Sequence, residues 1–196
     1  MPTLLRLSLL SALALASLPA SAQADRSGFW IGARLQSTGL STDNGFDTTT
    51  EGGGGVALEA GYAFSRVAGV YLSVGGSAMQ GEDGGEDYTL GSAYLGGRFN
   101  LTPSKALNPY LLVGLTGQSA AFDVAGTSAD LEVSGGGLYA GVGLDYALSP
   151  ALSIDGRLTV GGGQFSEISF DGESTDNFDA IDFGVAHLGL GVTFRP

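Results

Sequence analysis

Cysteine is absent from the 196 residues, which excludes a disulfide framework, a thiolate metal site and a lipoprotein anchor. Basic residues are few, with 8 Lys+Arg against 20 Asp+Glu and a net charge of −12. That balance argues against nucleic acid as a partner, because such binding needs a basic surface. Histidine occurs once, at His187, which leaves little material for imidazole catalysis. Charge of either sign is sparse, at 14 %. Even so, past the first two dozen residues no apolar run approaches the roughly 18 residues that suggest a membrane-spanning helix. Any association with a membrane must use another geometry.

The opening stretch has the form of a secretory leader. Arg6 precedes an apolar segment from Leu7 to Leu18, and Ala20-Ser21-Ala22 and Ala22-Gln23-Ala24 both fit the small-x-small cleavage pattern. Residues 1–24 are therefore expected to be a signal peptide, cut after Ala22 or Ala24. Residues 25–196 are expected to form one domain.

What remains is rich in glycine, at 34 residues, without a G-X-Y repeat or a low-complexity tail. The glycines sit inside stretches of period two, which points to many strands. Eight such stretches run through the chain: GFWIGARLQ, VALEAGYAF, VYLSVGGSA, SAYLGGRFNL, PYLLVGLTGQ, LYAGVGLDYAL, LSIDGRLTV and AHLGLGVTF. In each, aliphatic and aromatic residues share one parity, while glycine, serine and charge share the other. The fifth is ambiguous because Leu111 and Leu112 are adjacent. Its outward face is assigned to Leu111, Val113 and Leu115.

Alternation alone suits a soluble sandwich equally well, and the connections decide between the two. Those near Arg66, Lys105 and Ser149-Pro150 are short. Those spanning residues 38–53, 80–87, 119–134 and 162–182 are mostly longer, and they hold 16 of the 20 acids with no lysine or arginine. The opposite end carries Arg26, Arg66, Lys105 and Arg195. Strict alternation of short and long connections is the pattern of an up-and-down barrel, whereas Greek-key crossings give no reason for it. A soluble surface would also mix charge signs more evenly. The expected fold is all-β: an eight-stranded antiparallel up-and-down transmembrane β-barrel with short periplasmic turns and long acidic extracellular loops.

In such a barrel the apolar face meets lipid and the polar face lines the lumen. Six charges then point inward: Arg34, Arg98 and Arg157 against Glu59, Asp145 and Asp155. The count is balanced, the six are expected at similar heights, and pairing is the usual way to tolerate charge in so confined an interior. Tyr71, Tyr94 and Tyr139 add bulk on the same face, and inward glycines leave room for long side chains to cross. Phe29, Trp30, Phe64, Phe99, Tyr110, Tyr146 and Phe194 fall near the short-turn ends, where an interfacial aromatic girdle is expected.

With these features the chain resembles the small eight-stranded outer-membrane barrels of bacteria, the OmpA-transmembrane and OmpX-like group. The most specific local feature is the ending HLGLGVTFRP. His187, Gly189, Val192 and Phe194 fit the spacing of the signal by which such barrels address the outer-membrane assembly machinery. In the family the aromatic residue usually ends the chain, whereas Arg195 and Pro196 follow it here. The resemblance implies an integral, monomeric protein of the cell outer membrane. It implies contacts with lipid and lipopolysaccharide, with the assembly machinery, and with host or envelope proteins through the acidic loops. No cofactor is implied.

Three other readings were weighed against this one. Lipid A deacylases and palmitoyl transferases share the fold, but no His-x-Ser pair is present, and His187 is expected as a hydrogen-bonding residue of the lumen. Catalysis is therefore not expected. The acids Asp171, Glu173, Asp176, Asp179 and Asp182 are clustered as calcium favours, yet Asp176 stands where an EF-hand loop needs glycine and Asp182 where it needs glutamate. GEDGGED, residues 81–87, lacks ligand spacing as well, so no metal site is assigned and both read as solvated rim. GFW echoes the Gly-x-Trp of lipocalins, but a lipocalin-type carrier turns its apolar face inward and adds a helix after the barrel. Within the barrel fold, the alternative to a structural or surface-interaction role is a narrow, porin-like channel.

Overall fold

The computed structural model describes residues 26–43, 48–81, 87–123, 130–170, 173–175 and 180–196. The leader, the 171–182 acid cluster apart from its short strand and its end, and most of GEDGGED lie outside the described residues. Among these residues nine strands follow one another: β1 Gly28–Asp43, β2 Thr48–Ala63, β3 Ala68–Gln80, β4 Tyr88–Asn100, β5 Leu107–Asp123, β6 Asp130–Ala147, β7 Leu152–Phe170, β8 Glu173–Thr175 and β9 Ile181–Phe194. Each of the eight long strands pairs antiparallel with its neighbours in sequence, β6 also pairs with β7, and β1 closes on β9. The three-residue β8 adds to the outer end of β7. The result is a closed eight-stranded up-and-down barrel, which leaves no edge among its long strands. Among the described residues there is no helix.

The outer wall follows the expected parity. Leu35, Leu58, Leu95, Leu115, Leu138 and Leu190 all project outward and are more than half exposed. In β5 the outward residues are Leu111, Val113 and Leu115, while Leu112 is buried at 3 %. On β2 and β6 the apolar band runs from Val56 to Phe64 and from Leu138 to Tyr146. At about 3.3 Å per residue and a tilt near 40°, nine residues reach roughly 20 Å, close to the apolar belt of such barrels. Phe29, Tyr62, Phe64, Phe99 and Phe194 ring its short-turn edge, exposed to the outside. Trp30 and Tyr110, assigned to that girdle from their position along the chain, instead point inward at 3 % and 0 % exposure. Height along a strand does not fix facing, and both residues share the parity of the lumen.

The strands continue well past the segments legible by alternation. Toward the long loops the polarity reverses. Outward positions become Ser37, Gly39 and Ser41 on β1, Gly76 and Ala78 on β3, and Gly162 and Gln164 on β7. Inward positions become apolar, with Leu40, Met79, Leu90, Ala120, Phe165, Phe183 and Val185 forming one buried cluster. Much of residues 38–53, 119–134 and 162–182 is therefore strand, and the connections themselves are shorter than expected. Near the top of β7 the register shifts at Ser134/Gly135, so that Phe165 faces Gly135 and Glu167 faces Ser134, leaving Ser166 as a bulge.

Candidate functional site: the lumen plug

The six expected lumen charges are all buried, and the structure sorts them into two groups. In the first, Arg34 donates from Nη1 to Asp155 Oδ2 at 2.8 Å and from Nη2 to Glu59 Oε1 at 3.0 Å. Arg157 donates from Nη2 to the other oxygen of Glu59 at 2.5 Å. The Tyr110 hydroxyl donates to Asp155 Oδ2 at 2.6 Å. Glu59 thus bridges two guanidiniums, and Asp155 is shared between an arginine and a tyrosine. The chain Asp155–Arg34–Glu59–Arg157 crosses from β7 through β1 and β2 and back to β7.

The second group gathers on Asp145, which is fully buried. Arg98 donates to its Oδ2 at 3.1 Å, as does Ser153 Oγ at 3.1 Å. Two further arginines, placed at the rim by their sequence position, turn inward to join it. Arg26, ahead of β1, reaches Asp145 Oδ1 at 2.6 Å. Its other nitrogen caps the β4–β5 turn through the carbonyls of Lys105 and Ala106, at 3.0 and 3.1 Å. Arg195, just past β9, reaches Ser153 Oγ at 2.9 Å and Asp145 Oδ2 at 3.3 Å. One carboxylate therefore ties both flanks of the barrel sequence together. Among the described residues the plug therefore holds five arginines against three acids, because Arg26 and Arg195, outside the strands, join the six charges that parity places inward. Parity had nothing to say about residues outside the strands, although two arginines directly flanking a barrel whose inner face carries an acid were the available signal.

Aromatic rings fill the space between and above these charges. Trp30, Tyr71, Tyr94, Tyr110, Leu112 and Tyr139 make a buried cluster. The guanidinium of Arg98 lies 3.8 Å from the Tyr110 ring centroid and 5.6 Å from that of Trp30. Such stacking favours a desolvated arginine. Tyr139 donates its hydroxyl proton to the Tyr71 hydroxyl at 2.6 Å. Glycine is required where these groups cross. A Cβ on Gly189 would lie 2.6 Å from Arg34 Cδ, and one on Gly61 would lie 2.5 Å from the indole of Trp30.

His187 sits among these groups, 4 % exposed, with Nδ1 2.8 Å from Thr38 Oγ1, which in turn meets Ser77 Oγ at 2.7 Å. Gly189 and Gly191 alternate with it on the inner face of β9, while Val192 and Phe194 face outward. The space between His187, Arg157, Tyr71 and Tyr94 amounts to about 20 Å³, room for roughly one water molecule. Among the described residues no three histidine or carboxylate side chains converge as metal ligands.

A closed barrel with an apolar outer belt, an aromatic ring at one edge and an ion-paired lumen is an integral outer-membrane β-barrel. The chain belongs to the outer membrane protein beta-barrel domain family, whose sequence model matches residues 8–194. Its place is the cell outer membrane. Solved structures of similar fold include Neisserial surface protein A, at 19 % identity and a TM-score of 0.61, covering 87 % of this chain and 98 % of that one. OprG from Pseudomonas aeruginosa matches at 18 % identity and a TM-score of 0.58, covering 90 % and 100 %. Ail from Yersinia pestis, solved in complex with the heparin analogue sucrose octasulfate, matches at 18 % identity and a TM-score of 0.50, covering 85 % and 99 %. No curated protein matches the chain in sequence.

Proposed function

We propose that this protein is a non-enzymatic, monomeric envelope barrel whose lumen is a plug rather than a passage, and whose biological contacts are made by its acidic outer rim. The filled interior carries this reading. Five arginines, three carboxylates and the tyrosine layer occupy the cross-section, and each of the three acids is ion-paired to at least one arginine. Opening a path for solute would require separating those pairs in a poorly hydrated space, which costs several kcal/mol for each exposed ion. The Thr38–His187 pair offers a hydroxyl beside an imidazole, but it is buried within the filled lumen, out of reach of a substrate.

The rim, with 16 acids in the four long connections as delimited above and no lysine or arginine, favours cationic partners from the host or envelope and divalent bridging to lipopolysaccharide. It disfavours polyanions, in contrast to Ail with its bound sucrose octasulfate. His187, Gly189, Val192 and Phe194 are the residues proposed to address the assembly machinery. On this view the arginine that follows the terminal aromatic serves the lumen, through Asp145, and leaves Phe194 on the outer wall. Planar-bilayer recording of the purified protein tests the plug: the expectation is no steady conductance. Steady openings on the order of a nanosiemens would instead make the narrow-channel reading the correct one.

A further inference from the structure

We propose that the outer mouth of the barrel is a binding site for a small organic cation with an apolar body. The site lies on the extracellular side of the plug, so it does not depend on whether the lumen conducts.

The first observation is an incompletely filled apolar chamber. Above the plug most inward side chains are apolar, yet they leave a cavity of about 270 Å³. Leu40, Ala120, Phe122, Val133 and Phe165 form its apolar wall. Protein interiors close-pack, and voids larger than a water molecule are few. A cavity of about 150 Å³ already accepts a benzene ring. This one has space for a ring and a compact head group.

The second observation is the polar end of the chamber. Among the described lining residues the ionisable side chains are Glu51 and Tyr88, whose hydroxyl donates a short hydrogen bond to Glu51 Oε2. That bond fixes the carboxylate at the mouth. Tyr88 also stacks on Phe122, with centroids 4.8 Å apart and planes 28° from parallel. Phe165 meets Phe183 with the same centroid separation of 4.8 Å, tilted at 40°. A carboxylate at one end of a chamber walled in part by aromatic rings attracts a cation through its charge, and the rings add their quadrupoles.

The third observation is the field above the mouth. At this end the described residues include the exposed acids Asp43, Asp87, Glu132, Glu167 and Asp182 and no lysine or arginine, and a cleft rimmed by one sign of charge concentrates ions of the other. A neutral ligand would displace water from beside Glu51 without offering it a charge. An anionic ligand would be repelled by both the carboxylate and the rim. An organic cation satisfies all three features.

The test uses the whole barrel, refolded into phosphatidylcholine nanodiscs, with benzyltrimethylammonium as the probe. Neopentylbenzene, its neutral carbon isostere, and benzenesulfonate serve as controls. Binding is followed by chemical-shift changes at Ala120 and Val133. Saturable one-to-one shifts with the cation are expected, together with binding about tenfold weaker for the isostere and none for the sulfonate. Glu51→Gln keeps an acceptor for Tyr88 and should weaken the cation by about tenfold. Ala120→Trp should fill the chamber and abolish binding. Heat-modifiable migration in SDS confirms that each variant is folded, so loss of binding is read only from folded barrels. Equal affinity for cation and isostere, an unaffected Glu51→Gln variant, or no saturable shift at Ala120 and Val133 would each overturn the proposal.

Discussion

Arg157→Ala puts the plug to its most direct test. Arg157 is 7 % exposed, donates to Glu59 at 2.5 Å and lies with its guanidinium 5.6 Å from the Tyr71 ring centroid. Removing it leaves Arg34 as the sole arginine paired to both Glu59 and Asp155, and opens space beneath the tyrosines. Breaking a buried pair by deleting one partner costs about 3–5 kcal/mol, chiefly because the remaining charge is stranded. At about 1.4 kcal/mol per factor of ten, the unfolding equilibrium should move by roughly two to three and a half decades. Urea unfolding in detergent, followed by the loss of heat-modifiable migration, measures that shift. The double variant Arg157→Ala/Glu59→Ala leaves Arg34 paired one-to-one with Asp155. It should recover about 1–3 kcal/mol of the sum of the two single losses. A neutral single variant, or strict additivity in the cycle, would show that Arg157 and Glu59 are not energetically coupled and would remove the argument for a paired plug.

Two further expectations concern the wall and the lower cluster. Leu158→Arg, on the lipid face, should impair assembly more than Thr159→Arg, on the lumen face, because a midplane arginine toward lipid costs about 2–4 kcal/mol; the amount of heat-modifiable protein in membranes measures this, and the reverse order would invert the facing of β7. Asp145→Asn should destabilise the barrel by about 3 kcal/mol, near the lower end of the range for a broken buried pair, since Arg26 and Arg195 flank the barrel and can swing outward while Arg98 stays held between Tyr110, Trp30 and Asn100; urea unfolding measures it, and a loss much above 5 kcal/mol would mean that the flanking arginines are locked in.

The lower half of the barrel was legible because one physical rule governs it. Lipid outside and a polar lumen inside make every strand alternate with one polarity, so Arg34, Glu59, Arg98, Asp145, Asp155 and Arg157 could be placed inward from parity alone. The same rule hid the upper half. On β1 the order runs Leu35 out, then Ser37 out and Leu40 in, so the alternation persists while its polarity reverses. A reading that follows apolar residues sees this as the end of a strand. Trp30 and Tyr110 illustrate a second limit, since their height near a membrane interface suits a girdle while their parity places them inside. Arg26 and Arg195 illustrate a third. They lie outside the strands, where no periodicity constrains them, and only the three-dimensional position of Asp145 gives them a partner.

The reversal of polarity along most of the strands has a physical consequence for how the barrel sits. Below it, the outer wall offers leucine and valine to hydrocarbon. Above it, the outer wall is glycine, serine and glutamine, and the interior supplies Leu40, Met79, Leu90, Phe165 and Phe183 as an ordinary hydrophobic core. A wall without large apolar side chains gains little from burial in lipid, while an apolar core gains most when water surrounds the shell that encloses it. The strands therefore leave the hydrocarbon where their polarity reverses, and their outer ends stand in the polar headgroup region or beyond it. Each strand is built for two solvents in succession, and the ionic plug belongs to the lipid-embedded part. That division explains why the costly charges lie where the lumen is shielded by membrane, while the water-surrounded mouth is lined by side chains that water drives together.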